Sequence, residues 1–185
     1  MLLLNHKKRT FTAPLDMIKR LAHEADGSET ATLASVSIPT ETALTKNSRL
    51  VAAFCGILDE GELGTMVRTA TALGFDHIVF LEKCADIFSL KVTKASQGSL
   101  WKTSFSVGCT SKLLSFASTN RYLPIQPGNI DTPSMNIDAA TRHAGLIALI
   151  CPHHKKGFNQ ISTSFHECRW IISRSCFLHN LLLAK

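Results

Sequence analysis

The stretch of this chain whose residue types and spacing could do chemistry covers residues 58–75, Leu-Asp-Glu-Gly-Glu-Leu-Gly-Thr-Met-Val-Arg-Thr-Ala-Thr-Ala-Leu-Gly-Phe. Arg68 is its most telling member, an always-charged group with five donors whose natural partners are phosphates and carboxylates. Side chains on a helix tilt toward its N-terminus, so an arginine about one turn in leans back toward the acidic, glycine-bearing loop of residues 59–64. An arginine so placed can meet a phosphate-bearing substrate. It can equally pair with Asp59 or Glu62 on a solvated helix surface.

The flanking elements fit a site of this kind. Residues 49–58 form a nearly unbroken apolar run, which predicts a strand buried on both faces and hence a parallel α/β sheet. After the loop, Met66, Val67, Ala70 and Leu73 recur at helical spacing, and Gly74 stands where a left-handed C-cap is wanted. In open α/β sheets ligands sit beyond the carboxyl ends of strands, which is where the 59–64 loop falls. A second strand is expected over residues 145–150, Gly-Leu-Ile-Ala-Leu-Ile.

Other chemistries find less support. There is no Gly-x-Ser-x-Gly elbow, no P-loop and no dinucleotide glycine fingerprint. Ser96 and Ser99 flank Gly98 without a base partner and are read as capping and turn residues, with Gly98 serving a tight turn or close packing; His77 opens a strand and is read as structural. Cys151, His153, His154, His166 and Cys168 have zinc-compatible chemistry, but their one-residue spacing departs from the usual two to four, so no metal is expected. The six cysteines include no Cys-x-x-Cys pair, which favours reduced thiols in an intracellular protein, with Cys55 a small core residue.

At 185 residues with 45% hydrophobic content, the chain can bury the core of one domain plus an appendage. Its apolar runs fall well short of the ~20 residues that span a bilayer, so no membrane is expected as a partner. A net charge of +6 and a pI near 9.1 favour a polyanion. Lys91, Lys94 and Lys102 lie downstream of the 58–75 stretch, and Lys155, Lys156, Arg169 and Arg174 enrich the tail. With 7% aromatic residues and one tyrosine there is no stacking platform for bases, so phosphate contact is the expected mode, with Lys91 and Lys94 as candidates. Residues 1–48 read as a basic helical segment and a polar linker, the remnant of a substrate-binding domain. The basic, acid-poor start is also compatible with an organellar transit peptide, although residues 1–23 lack serine; the expected location is therefore cytoplasmic or organellar.

Residues 58–75 resemble the first signature of the SpoU family of tRNA and rRNA ribose methyltransferases, in the knotted SPOUT class. In that family a strand runs into Asp-Pro-x-Asn-x-Gly-x-x-x-Arg-Thr-Ala, and Asp59, Gly64, Arg68, Thr69 and Ala70 match. Residues 84–100 are similar to the family's next stretch, ending in Ala95-Ser96-Gln97-Gly98-Ser99-Leu100. The likeness covers residues 49–107 well and weakens toward 151. It implies a knotted, Rossmann-like parallel sheet with flanking helices over residues 49–185, and transfer of a methyl group from S-adenosylmethionine to a ribose 2′-hydroxyl of RNA. DNA is not an expected partner. Arg68 would act near the reacting hydroxyl and its phosphate, Glu62 would take the place of a substrate-contacting asparagine, and Gly64 would let the loop approach RNA. Leu149, Ile150 and Gly157 would line the cofactor pocket, and the chain would work as a homodimer.

The sequence departs from the family pattern in two places. Glu60 replaces the usual proline, and Glu62 replaces the motif asparagine, exchanging an amide that donates and accepts for a carboxylate that only accepts. Farther on, the family's Gly-x-Glu-Gly-x-Gly loop is represented only by Gly157, Pro152 removes a backbone donor, and no Ser-Leu-Asn segment comes after it. The pattern is lost after about residue 158. A catalytically silent RNA-binding or assembly protein, or a truncated or alternatively spliced product, is the competing reading.

Overall fold

In a computed structural model of the chain, the structure describes residues 12–22, 34–127, 145–150 and 166–168. The chain divides into two compact units, Met1–Ile38 and Pro39–Lys185. In the first, Pro14 precedes a two-turn helix, α1 (Leu15–Ala22), where a missing N–H costs nothing.

Apolar runs of the second unit become strands buried on both faces, as a parallel sheet requires. Its elements in chain order are β1 (Leu50–Phe54), α2 (Glu60–Ala72), β2 (His77–Phe80), α3 (Leu90–Ser96), a 3-10 turn (Ser99–Trp101), β3 (Ser104–Val107), α4 (Thr110–Asn120), β4 (Tyr122–Pro127), β5 (Gly145–Ile150) and β6 (His166–Cys168). The strands form one sheet in the order β3-β2-β1-β5-β4-β6, every pairing parallel. From β1 the chain steps outward to β2 and β3, then returns past β1 to β4. Because crossovers keep one hand, that reversal puts α2 and α3 on one face and α4 on the other.

Strand alternation feeds the two faces separately. Ala52, Phe54, Ile78, Phe80, Phe105, Ile125, Ala148 and Ile150 pack with Leu63, Met66, Val67 and Ala70 of α2 and Val92 of α3. Val51, Ala53, Val79, Ile147 and Leu149 pack with Leu113 and Ala117 of α4. On the α2 face an aromatic row crosses three strands: Phe54 and Phe80 lie 6.0 Å apart, Phe80 and Phe105 6.1 Å, and Phe88 closes the row 5.8 Å from Phe105. Each such pair adds ~0.5–1.5 kcal/mol beyond the burial itself.

The segment before β1 is not the free linker that its polar composition suggests. Thr42 donates its backbone N–H to the carbonyl of Phe105, and the Glu41 carboxylate accepts from the N–H of Val107, so residues 41–42 cover the exposed edge of β3. Leu44 packs on the α4 face, and the Tyr122 hydroxyl donates to the carbonyl of Ser48. Residues 39–48 therefore belong with the sheet, within the compact unit Pro39–Lys185. The edge of a sheet is a row of unpaired groups, and such a strap is one way to protect it. His77, the first residue of β2, is buried with its Nε2 3.0 Å from the Ser106 hydroxyl, in keeping with a structural role. The C-terminal passage on which a knot would depend lies outside the described residues.

Candidate functional site

β1 and β5 are neighbours whose chains leave the sheet in different directions, β1 toward α2 and β2, β5 toward the far edge and β6. The crevice beyond their carboxyl ends is the place where an open α/β sheet binds ligands. On the β1 side the rim is tied by backbone. Cys55 N–H donates to Ile150 O at 3.0 Å, Gly56 N–H to Glu82 O at 3.0 Å, and Ala85 N–H to Ile57 O at 2.8 Å. The Cys84 thiol donates to Phe54 O at 3.2 Å. Gly56 has φ +68°, a left-handed turn that lets the chain leave β1 and still bond to the next loop.

Residues 60–64 are helical, where the sequence led us to expect a loop over 59–64. Asp59 is the N-cap, its Oδ1 accepting from the Glu62 N–H at 2.6 Å, and α2 starts at Glu60. An N-cap aspartate with a glutamate three residues on is a helix-start signal, and acids in the first turn suit the helix dipole. The far end closes as expected at Gly74, φ +79°, with Gly74 N–H to Thr71 O and Phe75 N–H to Ala70 O. Arg68 consequently stands about two and a half turns down the helix, ~13.5 Å of rise from the cap, rather than one.

Arg68 is exposed, with no hydrogen bond or ion pair among the described residues; neither Asp59 nor Glu62 holds it. Gly61, Thr65 and Arg68 follow one stripe of α2. Gly61 has no side chain, and Thr65 folds its hydroxyl onto Gly61 O at 2.8 Å. The flank above the guanidinium is therefore low, and a phosphate can approach it along the helix.

Gly64 does something other than meet RNA. It is buried, and a Cβ there would lie 2.6 Å from the Ala95 Cβ and 2.6 Å from the Val92 carbonyl oxygen of α3. The close approach it permits is between two helices, so it has no surface to offer a ligand. Lys91 and Lys94 are exposed on α3; Lys91 Nζ lies 3.9 Å from Glu60 Oε2, joining the first turns of α2 and α3, and Lys94 is engaged with its surroundings. Glu62 is half-buried and likewise engaged.

Leu149 and Ile150 reach the crevice end of β5, but their side chains are buried in opposite cores, Leu149 on the α4 face and Ile150 on the α2 face. Only their backbone can border a ligand, and the Ile150 carbonyl already accepts from Cys55. Any contact of these two residues with a cofactor would be made by backbone, not by side chains. Gly157 lies outside the described residues, as do Cys151, His153 and His154. Among the described residues no group of His, Cys, Asp or Glu could hold a metal ion.

Sequence reasoning missed Glu82, which follows β2 and caps α4: its two carboxylate oxygens accept from the Thr110 N–H and hydroxyl, both at 2.9 Å. Desolvation pushes this carboxyl up. The bonds from its own N–H and from Thr110, with the Lys83 charge, outweigh that and hold it below the ordinary 4.5. Gly56 and Cys84 were also missed as parts of the rim. Burial pushes the Cys84 thiol up, making it a poor nucleophile. A glycine inside an apolar strand run was the available signal for Gly56.

No family model matches the chain. A 52-residue stretch is 42% identical to the 23S rRNA (guanosine(2553)-2′-O)-methyltransferase RlmP of Bacillus subtilis, covering 28% of this chain and 21% of that protein. An rRNA methyltransferase from Sinorhizobium meliloti superposes with a TM-score of 0.68 over 91% of this chain and 68% of its own, at 14% identity. The SpoU methyltransferase AviRb of Streptomyces viridochromogenes, solved with S-adenosylmethionine, gives 0.62 over 80% of this chain and 58% of its own, at 16% identity. The fold is that of the SpoU methyltransferases.

Proposed function

We propose that this chain is an RNA methyltransferase that moves a methyl group from S-adenosylmethionine to a ribose 2′-hydroxyl of tRNA or rRNA. The observation that carries the reading is the 42% identity with a 2′-O-methyltransferase over 52 residues. The SpoU fold, with an unpaired Arg68 on the exposed flank of α2, supports it.

The described residues fit the cofactor as one side of its crevice: the tied backbone of residues 55–58, the ends of β1 and β5, and the exposed Leu58. When bound, S-adenosylmethionine supplies an activated methyl group. The protein's part is to hold an RNA phosphate with Arg68 and to stabilise the charge that grows on the 2′-oxygen as its proton leaves. Arg68 stays protonated and does this as a donor, not as a base. Glu62 would accept from substrate hydroxyls, while Lys91 and Lys94 would add phosphate contacts on the neighbouring helix. A homodimer in an intracellular compartment, cytoplasmic or organellar, completes the proposal; the free thiols of Cys84 and Cys109 agree with a reducing location.

A second reading, a silent RNA-binding scaffold, is favoured by Glu62 at the asparagine position and by the inward side chains of Leu149 and Ile150. Calorimetric titration of S-adenosylmethionine into the folded protein separates the two. Saturable binding near one site per chain is expected. No binding by a folded protein that still retains RNA would leave the scaffold reading in place.

A further inference from the structure

Residues 63–75 and 87–127 contain no Asp or Glu, and these two spans build α2 beyond its first turn, α3, the 3-10 turn, β3, α4 and β4. Their charged side chains are all cations: Arg68, Lys91, Lys94, Lys102, Lys112 and Arg121. Nearby carboxylates are turned to backbone donors. Asp76 accepts from the N–H groups of Arg49 and Leu50 at 2.8 and 2.9 Å, Glu41 from that of Val107 at 3.1 Å, Glu82 from that of Thr110 at 2.9 Å and Asp86 from that of Phe88 at 3.0 Å.

α2 leaves the carboxyl edge of β1 and ends at the amino edge of β2, so each of its turns lies farther from the crevice. Arg68 falls one turn past Gly64, where α3 packs, and one turn before Thr71. The Thr71 hydroxyl donates to Val67 O at 2.8 Å, so in its 2.6 Å pair with the Thr103 hydroxyl it is Thr103 that donates. Both protons are spent inside the fold. Lys102, next to Thr103, is exposed, and its ammonium has no partner among the described residues. Arg68 and Lys102 thus flank a hydroxyl pair that has no proton left to offer, and a ligand that spans them is met by charge. Between residues 59 and 75, and between 91 and 106, no large apolar side chain is exposed. A protein partner, whose interface core is apolar, would find no anchor there, whereas a polyanion with charge repeated along its length needs none.

We infer that RNA leaving the crevice follows α2 toward the amino edge of the sheet and seats a backbone phosphate on Lys102, beyond the phosphate held by Arg68. The inference rests on the methyl-transfer reading for its RNA, and adds to it a positioning contact remote from the reacting 2′-hydroxyl. Such a contact fixes register without reading bases.

The test is fluorescence anisotropy of a fluorescein-labelled RNA stem-loop titrated with the full chain at several salt concentrations, for the wild type, Lys102→Gln, Lys102→Glu and Lys112→Gln. Lys102 and Lys112 are exposed, so all four proteins should melt alike. Lys102→Gln should weaken binding at least about threefold and lower the magnitude of the salt slope by about one, and Lys102→Glu should weaken it about tenfold. Lys112→Gln, on α4 across the sheet, should bind nearly as the wild type does. The inference is overturned by a wild type that does not bind the RNA, by Lys102→Glu binding as tightly as the wild type, by equal losses at Lys102 and Lys112, which would show net charge alone, or by polyglutamate displacing the RNA as readily as unlabelled stem-loop does. Calorimetry with S-adenosylmethionine on the same samples separates this inference from the reading beneath it. A wild type that holds the RNA and shows the Lys102 losses but takes up no cofactor sinks methyl transfer and leaves the RNA surface, whereas unaltered RNA binding by Lys102→Glu in a protein that takes up cofactor sinks the surface and leaves methyl transfer.

Discussion

α2 and α4 have 13 and 11 residues and cover opposite faces of one parallel sheet, yet they are held by different means. α2 is capped by its own Asp59, packed through Gly64 onto α3, and laid over the aromatic row of Phe54, Phe80 and Phe105. α4 takes its cap from Glu82 on another loop and meets the sheet through Leu113, Ala117 and a tilted Phe116–Tyr122 pair at 5.2 Å. A shallow groove of about 240 Å³ remains between α4 and β4, lined by Leu114, Ala117, Ser118, Tyr122 and Pro124. The contrast separates two jobs. The α2 side fixes a helix start against a tied rim and leaves an arginine free along its flank, whereas the α4 side closes the sheet.

If that division holds, substitutions on the α2 side should split cleanly into those that hurt chemistry and those that hurt folding. Arg68→Ala should give the largest effect, a loss of about 10²–10³ in methyl transfer, as expected for one donor to a developing charge. Its unfolding free energy should change by less than ~0.5 kcal/mol, since the side chain is exposed and unpaired. Undiminished methylation would remove Arg68 from the site. Gly64→Val should do the reverse, costing ~1–3 kcal/mol in urea unfolding because the added atoms collide with Ala95 and Val92. Gly61→Ala, on the same helix, meets only the capping oxygen Asp59 Oδ1 at 3.3 Å, which must shift by a few tenths of an ångström, and should change stability by no more than ~1 kcal/mol. Equal losses at both glycines would dissolve the distinction. Asp59→Ala should cost ~1 kcal/mol through the lost cap.

The same contrast explains how much could be read from residue order. β1, the interior of α2 and its Gly74 stop were legible because hydrophobic periodicity and a C-cap glycine are local signals. The start of α2 was legible in principle, since Asp59 and Glu62 have cap spacing, but the two glycines at 61 and 64 favoured a loop. Only the packing partner reveals the purpose of Gly64, and Ala95 lies in a different helix. The strap was hidden for a related reason. The Thr42–Phe105 and Glu41–Val107 bonds join residues 63 and 66 positions apart, and polar composition cannot distinguish a solvated linker from a backbone-bonded edge. At the site, Arg68 stood out by chemistry, but the inward fate of Leu149 and Ile150 comes from strand alternation between two covered faces.

The smallest effect belongs to the α4 side, where protonation rather than chemistry should report. Val79 packs toward α4, so His77, two residues earlier in the same strand, shares that face, and desolvation holds its pKa below the ordinary 6.5. The folded protein therefore favours neutral imidazole, while the unfolded chain takes up a proton near 6.5. Stability from His77 is complete above that value and declines as pH falls below it toward the depressed folded pKa. Glu82 has the carboxylate sign: its contribution is complete above 4.5 and is lost as pH falls through its lower folded value. Melting temperature followed from neutral to acid pH should thus fall in two stages, with His77→Asn removing the first and Glu82→Gln the second. If either variant kept the full two-stage decline, the corresponding group would not be the one that titrates with the α4 face. Neither substitution should alter Arg68-dependent methylation at neutral pH, because neither residue lies on α2's exposed flank.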